Sequence, residues 1–409
     1  LQAMAAILIR NIKTLWQTDE GERTVVKGKD MATIPCINNA WLWIDAGKIV
    51  DFGPMETMPE LNITTIDATG KMVLPAYVDS HTHIVYAANR DEEFLMRLKG
   101  KTYEEIAAAG GGILNSAAKL GAMDVEELYE NAFERLENLI ALGTGTIEIK
   151  SGYGLNTAAE IKMLRVIRKL KENSRATIKS TFLGAHALPA EYKNNRKGYI
   201  DLIINDMLPK IADEGLADYC DVFCEQGYFT NEETETILSA AWKYHIKPKI
   251  HVNQFTNTGG IQTGIKNNAV SVDHLEYLGD AEIDALLQSN TLPVALPGCS
   301  FFIQIPYTPG RKIIDAGLPL VLASDYNPGS CPSGNMNFVI ALACIQMKLT
   351  PEEAFNAATL NGAAALELSG SVGSIAKGKS AKIIITKPIT TLTEIPYRFG
   401  ENLIDRVLI

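Results

Sequence analysis

The stretch MVLPAYVDSHTH, residues 72–83, joins an apolar run to the pair His81 and His83. An apolar run of this length predicts a buried β-strand. Residues two apart on a strand point to the same side, so both imidazoles can face one ion just beyond the strand's end. A pair of surface histidines is the alternative, but a mostly apolar strand offers them little water. The stretch therefore predicts two metal ligands at the end of a buried strand.

Seven more short β-rich runs follow this strand, and helical stretches separate them. Residues 125–141 and 158–171 carry apolar residues at helical spacing, and Asp124 and Glu127 are placed as a capping-box pair. Eight strands that alternate with helices predict an α/β fold, a (β/α)₈ TIM barrel. The later runs are residues 144–149, 177–183, 220–224, 247–250, 269–272, 292–296 and 318–323.

Polar residues directly after the predicted strands are the candidates for function, because the chemistry of such barrels lies at the carboxyl ends of the strands. Five of the six histidines lie there, whereas His245 precedes the fifth strand and is expected to be a structural or surface residue. Chance would have scattered the histidines over both ends of the barrel. The residues in question are His81, His83, Lys150, Ser151, Tyr153, His186, Glu225, His251, Gln254, His274, Asp325 and Asn327.

The residue types define a metal site. His81 and His83 from the first strand, His251 from the fifth and Asp325 from the eighth supply nitrogen and oxygen donors to one ion. This set suits Zn²⁺ or Fe³⁺ better than Mg²⁺ or Ca²⁺, which prefer oxygen ligands. Such an ion lowers the pKa of its water towards about 7, which predicts metal-assisted hydrolysis. His274 is left as a proton shuttle, or alternatively as a core histidine satisfied by the backbone.

Several longer motifs resemble the amidohydrolase superfamily, whose first strand carries His-x-His and whose eighth ends in a metal-binding Asp. More narrowly, the chain is similar to members that open 4-imidazolone-5-propanoate to N-formimidoyl-L-glutamate in L-histidine degradation. The motifs are DSHTH at residues 79–83, Asn89-Arg90, GGGI at 110–113, EIKSGYGL at 148–155, FLGAH at 182–186 and ASDYNPG at 323–329.

The resemblance implies substrate roles that the residues alone do not assign. Arg90, Tyr153 and His186 match residues that hold the imidazolone ring and its propanoate, and Tyr103 joins Arg90 in that pocket. Asn327, Gly329 and Ser330 match positions that contact the carboxylate end of the substrate or product. A guanidinium offers a planar fork to a carboxylate, which agrees with this role for Arg90. Without the resemblance, Arg90 would be interpreted as half of a surface salt bridge.

The sequence departs from the family pattern at three positions. Gln254 replaces an acid found in some members, so it can hydrogen-bond the ring but cannot take a proton. The acid–base work then falls to His274 and Asp325. Ser330 stands where Thr is frequent and Ala76 where Gly is frequent, and neither change is expected to abolish function. Lys150 is expected to be unmodified and the site to hold a single ion.

Two segments outside the barrel resemble halves of one smaller domain. Residues 1–70 and 373–409 are expected to form a composite β-sandwich, which leaves 71–372 for the barrel. Before the second segment, Thr350, Pro351 and Glu353 occupy the N-cap, N1 and N3 positions of a helix that should reach Leu368. Residues 89–115 are expected to form a long loop, which either covers the active site or is a surface excursion.

Composition limits the partners of this 409-residue chain. With 38 basic and 48 acidic residues its net charge is −10, which argues against nucleic acid and anionic membranes. Six cysteines without a Cys-x-x-Cys motif, and the lack of an 18-residue apolar span or signal peptide, fit a reducing cytoplasm. The resemblance implies a homodimer. Residues 1–3 are expected to be an extension ahead of a native start at Met4.

Two other functions remain open from the sequence. An aminohydrolase that acts on a purine or pyrimidine would share the metal site, but it has no need for Arg90, Tyr153 and the loop that contains Asn327. A non-catalytic scaffold on the same fold would be expected to have lost ligands. All four predicted ligands are present.

Overall fold

The computed structural model describes residues 5–409, so the predicted extension at residues 1–3 lies outside the described residues. The chain opens with strands that belong to a first, mixed sheet. These are β1 (Ile7–Trp16), β2 (Cys36–Asp45), β3 (Lys48–Pro54), β4 (Thr64–Asp67) and β5 (Lys71–Pro75).

The next eight strands form a parallel sheet in which each strand pairs with the one that follows it in the chain. The sheet closes because the amide of His83 donates to the carbonyl of Tyr326, which follows the last strand, at 2.8 Å. The predicted (β/α)₈ barrel is therefore confirmed. Its strands are β6 (Tyr77–Thr82), β7 (Thr144–Lys150), β8 (Thr177–Ala185), β9 (Tyr219–Cys224), β10 (Lys247–Val252), β11 (Ser271–His274), β12 (Leu292–Ala295) and β13 (Val321–Leu322).

Helices lie between the barrel strands and bury one face against them, as the sequence periodicity predicts. None of the helices in residues 5–409 is long and apolar enough to cross a membrane. The helices are α1 (Asp91–Leu98), α2 (Tyr103–Ala108), α3 (Ile113–Ala122), α4 (Val125–Ala141), α5 (Thr157–Asn173), α6 (Arg196–Leu202), α7 (Leu208–Asp213), α8 (Asn231–Trp242), α9 (Gly260–Lys266), α10 (Asp280–Leu287), α11 (Pro297–Ile303), α12 (Gly310–Asp315), α13 (Met336–Ile345), α14 (Pro351–Ala358), α15 (Leu360–Ala365) and α16 (Glu394–Tyr397).

The chain returns to the first sheet with β14 (Ile383–Pro388) and β15 (Ile404–Leu408). The strand order is β15-β14-β5-β1-β2-β3, and β4 pairs with β1. A bridge between Lys48 and Ser380 joins β3 to the segment before β14, so the sheet curls around its own apolar core. Both chain ends thus build one separate mixed sheet beside the barrel. The domain boundaries at residues 70/71 and 372/373 stay a prediction.

The stretch at residues 72–83, predicted as one strand, contains parts of two strands. Residues 71–75 form β5, where Val73 pairs with Leu15 and with Ile385, and only β6 belongs to the barrel. Ala76 lies between them and donates its amide to the carbonyl of Lys382. A continuous apolar run shows that both strands are buried, but it cannot show that they are buried in different sheets.

Two other predicted strands have different bounds. The run at residues 269–272 is shifted to Ser271–His274, and the run at 318–323 shortens to Val321–Leu322. In the first case the strand extends to His274, because Val252 pairs with His274. In the second, the chain leaves the ladder before Asp325, whose φ of 55° ends extended structure.

The predicted starts of the helices are right, but a predicted cap, a predicted helix length and a predicted loop are wrong. Thr350 and Glu353 form the predicted capping box, but the helix breaks at Thr359 (φ −122°, ψ −90°) instead of continuing to Leu368. Asp124 caps α4 by accepting from the amide of Glu126, so no capping box with Glu127 forms. Residues 89–115 are mostly helical, since α1, α2 and the start of α3 replace the expected loop.

Candidate active site

Five side chains from four places around the barrel meet at the carboxyl ends of its strands. The pair His81 and His83 comes from the end of β6, His251 from β10, His274 from β11, and Asp325 from the turn after β13. Each is at most 3% exposed. The four histidine rings lie 4.5–5.7 Å from the ring of a neighbour, so the site is a single compact cluster.

Three donor atoms in this cluster have the spacing of a metal-ligand face. The Nε2 atoms of His81 and His83 lie 3.3 Å apart, and each lies 3.3 Å from Oδ1 of Asp325. Ligand atoms of a tetrahedral zinc site with bonds of about 2.0–2.1 Å are about 3.3–3.4 Å apart. His251 offers a donor within 4.8 Å of both histidines. The arrangement can hold one ion.

Two buried carboxylates lie behind the histidines. Nδ1 of His81 donates to Oδ2 of Asp273 at 2.6 Å, and Nδ1 of His251 lies 3.0 Å from Oδ2 of Asp221. A carboxylate on Nδ1 fixes the tautomer that leaves Nε2 free as a ligand, which is how metal-binding histidines are usually oriented. Both carboxylates point inward from strands of the barrel and are fully buried.

The protonation states of the clustered side chains suit their use as metal ligands. Burial opposes the charge of Asp325, but hydrogen bonds from His81 and His83 outweigh it, so the pKa of Asp325 lies well below its usual range. Burial lowers the pKa of His251 to about 3, which keeps this ring neutral. Burial and Lys150 lower the pKa of His81, yet Asp273 and Asp325 raise it overall to about 9. A cation at this position competes with that proton, as metal ligands require.

Lys150 lies beneath the cluster as a buried ammonium group. Its Nζ atom is 2.5 Å from Oε2 of Glu148 and 2.9 Å from Oδ2 of Asp221. Burial alone would lower the pKa of Lys150, but Asp221 and Glu148 outweigh it and raise the pKa. A lysine must be a neutral amine to become carboxylated, so this environment opposes that modification.

The backbone at the cluster is strained. His274, Leu275 and Asp325 have φ angles of 94°, 65° and 55°, in the left-handed region that residues other than glycine rarely adopt. Such conformations cost about 1–3 kcal/mol each and are found where function requires a particular side-chain position. Thr308 donates its hydroxyl to the carbonyl of His274, which helps to hold this turn.

The cluster forms the floor of a cavity of about 340 Å³. All eight residues that the sequence analysis assigns to substrate line this cavity, together with His83, His251, His274 and Asp325. Those eight are Arg90, Tyr103, Tyr153, His186, Gln254, Asn327, Gly329 and Ser330.

Comparison with known proteins decides the family. The model of the amidohydrolase family matches residues 72–409. The chain belongs to the amidohydrolase family. It is 60% identical over 403 residues to an imidazolonepropionase of Flavobacterium johnsoniae and 58% identical over 404 residues to one of Christiangramia forsetii, covering 98% of each chain in both cases. The narrower resemblance drawn from the motifs is thereby confirmed.

Solved structures share the fold of this amidohydrolase at low sequence identity. Guanine deaminase from C. acetobutylicum, solved with bound guanine, aligns with a TM-score of 0.70 at 18% identity and covers 98% of both chains. A triazine hydrolase variant aligns with a TM-score of 0.74 at 15% identity, covering 99% of this chain and 94% of its own. These likenesses support the barrel with its separate sheet.

One side of the amidohydrolase cavity is formed by two rings. His186 stacks on His83 with centroids 5.4 Å apart, and Tyr153 lies 5.4 Å from His186. Nδ1 of His186 donates to the carbonyl of Gly152 at 2.9 Å, which leaves Nε2 as an acceptor. Gly152 has a φ of 109°, and a Cβ there would lie 2.8 Å from Nδ1 of His186, so only glycine fits.

Arg90 both forms a salt bridge and lines the cavity, so each interpretation from the sequence holds in part. Its Nε and Nη2 atoms donate to Oε2 of Glu93 at 3.0 and 2.8 Å, yet the side chain lines the cavity. Gly329 lies so close to Arg90 that a Cβ at residue 329 would be 2.4 Å from Nη1 of Arg90. Arg97, which the sequence analysis did not single out, also lines the cavity and donates to the carbonyl of Gly329 at 3.1 Å.

The loop after β13 is organised by Asn327. Its Oδ1 accepts from the amides of Gly329 and Ser330 at 2.9 and 2.8 Å, and its Nδ2 donates to the carbonyl of Asp325 at 2.7 Å. The Asn327 side chain therefore shapes the loop, and the Ser330 hydroxyl, 2.8 Å from Nδ2, is tied to it.

The structure also places the remaining predicted residues. Gln254 is 5% exposed at the cavity wall and donates to Sγ of Cys299 at 3.4 Å. Tyr103 lies at the mouth and is 65% exposed. Glu225 accepts a hydrogen bond from the amide of Phe255 and so contacts the backbone of the loop after β10. His245 is exposed in the connection before β10 and lies apart from the cluster, as predicted.

Sequence reasoning missed Asp221 and Asp273. Asp221 is a charged residue inside the otherwise apolar run 220–224, and Asp273 directly follows the run 269–272. A buried charge without a partner is too costly to be retained. That placement was the signal that could have found them.

Proposed function

We propose that this amidohydrolase opens the ring of 4-imidazolone-5-propanoate with water to give N-formimidoyl-L-glutamate, a step of L-histidine degradation. The observation that carries the proposal is the spacing of three donor atoms, on His81, His83 and Asp325, which matches that of tetrahedral metal ligands. These atoms lie at the floor of a cavity whose walls contain the predicted substrate residues. Curated relatives at 58–60% identity that bear the name imidazolonepropionase support it.

His81, His83, His251 and Asp325 are proposed to hold one Zn²⁺ or Fe³⁺ ion. When bound, such an ion lowers the pKa of a water ligand and polarises a carbonyl oxygen. The buried ion pairs of Lys150 with Glu148 and Asp221 support a single ion, because they leave no neutral amine to be carboxylated into a bridging ligand.

Residues of the cavity walls are proposed to orient the substrate. The guanidinium of Arg90 attracts the propanoate, and Arg97 adds positive charge on the same side of a protein whose net charge is −10. Burial raises the pKa of Tyr153, so its hydroxyl keeps its proton and can donate to the ring. The free Nε2 of His186 can accept from a ring N–H.

His274 and Asp325 are proposed to move the protons. Nε2 of His274 lies 3.7 Å from Oδ2 of Asp325, and both side chains line the cavity. Water adds to the ring carbonyl carbon, and its proton passes to one of these two groups. The ring C–N bond then breaks and the proton held by His274 or Asp325 is delivered to the departing nitrogen. The former carbonyl becomes a carboxylic acid, which releases its proton to solvent.

The test is to incubate the purified protein with freshly generated 4-imidazolone-5-propanoate and to follow N-formimidoyl-L-glutamate by mass spectrometry. Product is expected, its formation should stop on chelation, and addition of Zn²⁺ or Fe³⁺ to separate samples should identify the productive ion. Absence of product from protein that carries one ion per chain would contradict the proposal. Turnover of a purine or pyrimidine under those conditions would establish the rival aminohydrolase function.

We also propose a cytoplasmic homodimer. All six cysteines are free, which is typical of proteins from reducing compartments. The homodimer rests on the family resemblance alone, and light scattering of the purified protein would test it. A molar mass of one chain would contradict it.

A further inference from the structure

A carboxylate lies directly behind His274, on the side away from the metal-ligand cluster. Oε1 of Glu276 is 3.3 Å from Nδ1 of His274 and accepts from the hydroxyl of Ser300 at 3.1 Å. Glu276 is 5% exposed, and its other oxygen, Oε2, is buried without a hydrogen-bond partner. A buried carboxylate with one oxygen unpaired is costly, so its position calls for a functional reason.

The surroundings of Glu276 leave His274 as its partner. Within residues 5–409, no other basic group lies within 4.0 Å of this carboxylate. Its neighbours on α11 are Ser300 and Cys299, and the Cys299 thiol in turn contacts Gln254. Glu276 caps no helix, and its side chain spans no salt bridge to another element. Its one charged contact is therefore with the imidazole that faces the cavity.

We propose that Glu276 is a positioning residue that holds His274 in the tautomer with its proton on Nδ1. With Nδ1–H donated to Glu276, the lone pair of Nε2 points towards Asp325 and the cavity, where the proposed reaction needs a proton acceptor. The opposite tautomer would present an N–H to the cavity and could not take a proton from water. This inference rests on the proposed function for its kinetic part only.

The backbone supports a fixed ring. His274 and Leu275 both have positive φ angles, 94° and 65°, and the Thr308 hydroxyl donates to the His274 carbonyl. This strained turn brings the side chains of His274 and Glu276 into contact, although Leu275 separates the two residues in the chain. A ring held at Nδ1 by Glu276 on a strained turn has little freedom to rotate or to exchange tautomers.

Glu276→Gln tests the tautomer without removing side-chain volume. An amide can donate to Nδ1 as readily as it can accept from it, so the tautomer should become mixed. In zinc-loaded protein labelled with ¹⁵N-histidine, the wild type should show His274 protonated at Nδ1, assigned by comparison with His274→Gln. The variant should show a loss of that signal. An unchanged His274 tautomer in Glu276→Gln would overturn the inference, whatever the substrate.

Kinetics provide a second, independent readout. Glu276→Gln should lower kcat about 100-fold, with KM within twofold and zinc content unchanged. Ser300→Ala, which removes one donor to Glu276, should have a smaller effect in the same direction. Glu276→Ala should regain activity with added formate, since a small carboxylate can occupy the vacated space. Glu282→Gln, a buried glutamate at the start of α10, is the matched control and should retain wild-type turnover.

The two proposals fail in different ways. A wild type that produces no N-formimidoyl-L-glutamate contradicts the proposed function, while the tautomer measurement still decides the role of Glu276. A wild type that is active while Glu276→Gln keeps kcat within twofold, or Glu276→Ala gains nothing from formate, contradicts the role of Glu276 and leaves the proposed function intact.

Discussion

Nδ1 of His81 lies 2.6 Å from Oδ2 of Asp273, and both groups are fully buried in the barrel. Asp273 precedes His274 on β11, while His81 ends β6 on the other side of the barrel. One strand thus orients a proposed metal ligand through Asp273 and supplies the proposed proton carrier through His274. The hydroxyl of Ser271, also on β11, donates to the other oxygen of Asp273 and fixes the carboxylate.

Asp273→Asn is expected to weaken metal binding. The amide can no longer hold His81 by a charge-assisted bond, and loss of such a partner typically costs 10–100-fold in metal affinity or activity. Competition with a chromogenic zinc chelator would measure the affinity. Glu282→Gln changes a buried carboxylate that bonds to Asn257, Gln262 and Gly279 instead of the cluster, and it should bind zinc as the wild type does. Equal affinity in Asp273→Asn and the wild type would refute the orienting role.

The proposed ligands could be found from the sequence because their signal is local. His81 and His83 are two apart at a strand's end, and Asp325 follows an apolar run with only Ser324 between them. Asp273 was missed although its signal was equally local, a charge that directly follows the run at residues 269–272. Its partner, His81, is 192 residues away, and only the closed barrel brings the two side chains together.

The helices over the cavity show another limit of sequence reasoning. Gly110, Gly111 and Gly112 suggested a loop for residues 89–115, but helix signals were also present. Thr102 and Glu105 form a capping box at the start of α2, three residues apart as that motif requires. The break at Thr359 had no such signal. There, buried Asn356 and Asn361 bind backbone carbonyls of the segment before β2, a tertiary contact that overrides helix propensity.

His274→Ala is expected to abolish most turnover while metal content stays near that of the wild type. His274 is not among the proposed ligands, and general acid–base groups contribute about 10²–10⁴-fold to rate. Steady-state kinetics and metal analysis on the same preparation would check both parts. His245→Ala, which removes an exposed histidine, is the matched control. Activity that survives in His274→Ala would exclude it as the proton carrier.

Arg90→Ala is expected to raise KM about 10–100-fold for the propanoate-bearing substrate, the range that loss of a charged hydrogen bond predicts. A ring that lacks the propanoate should show little change. The variant also leaves Glu93 without its cation, so part of the increase can arise from repulsion of the substrate.

The double variant Arg90→Ala/Glu93→Gln separates the two causes for Arg90. If the cation itself attracts the propanoate, KM should stay high after the carboxylate is neutralised. If KM returns to the wild-type value, Arg90 serves only to neutralise Glu93, and its role as a carboxylate anchor is lost.

Gly152→Ala is expected to destabilise the cavity wall by about 1–3 kcal/mol, since alanine is strained at a φ of 109°. The new Cβ would also press on His186, so substrate affinity should fall as well. Gly378→Ala has a similar φ of 84° with open space around it and provides the control. Thermal unfolding would give the stability and KM the affinity. A loss of affinity of the same size in both variants would mean that strain, and not the contact with His186, is responsible.

Lys382 gives a pH dependence that is independent of the metal site. Burial, with Arg175 and Lys48 adding positive charge, lowers the pKa of Lys382 to about 8 from an ordinary value of 10.5. Between these pH values the unfolded chain binds more protons than the folded one, so the free energy of unfolding should rise with pH. The shift sets an upper bound of about 3 kcal/mol, and partial exposure of the side chain reduces it. Thermal unfolding should therefore show that Lys382→Met gains less stability than the wild type between pH 7 and pH 10. Lys197→Met, which removes an exposed lysine, is the control and should behave as the wild type. An equal gain in Lys382→Met and the wild type would show that burial of this ammonium group does not limit stability at neutral pH.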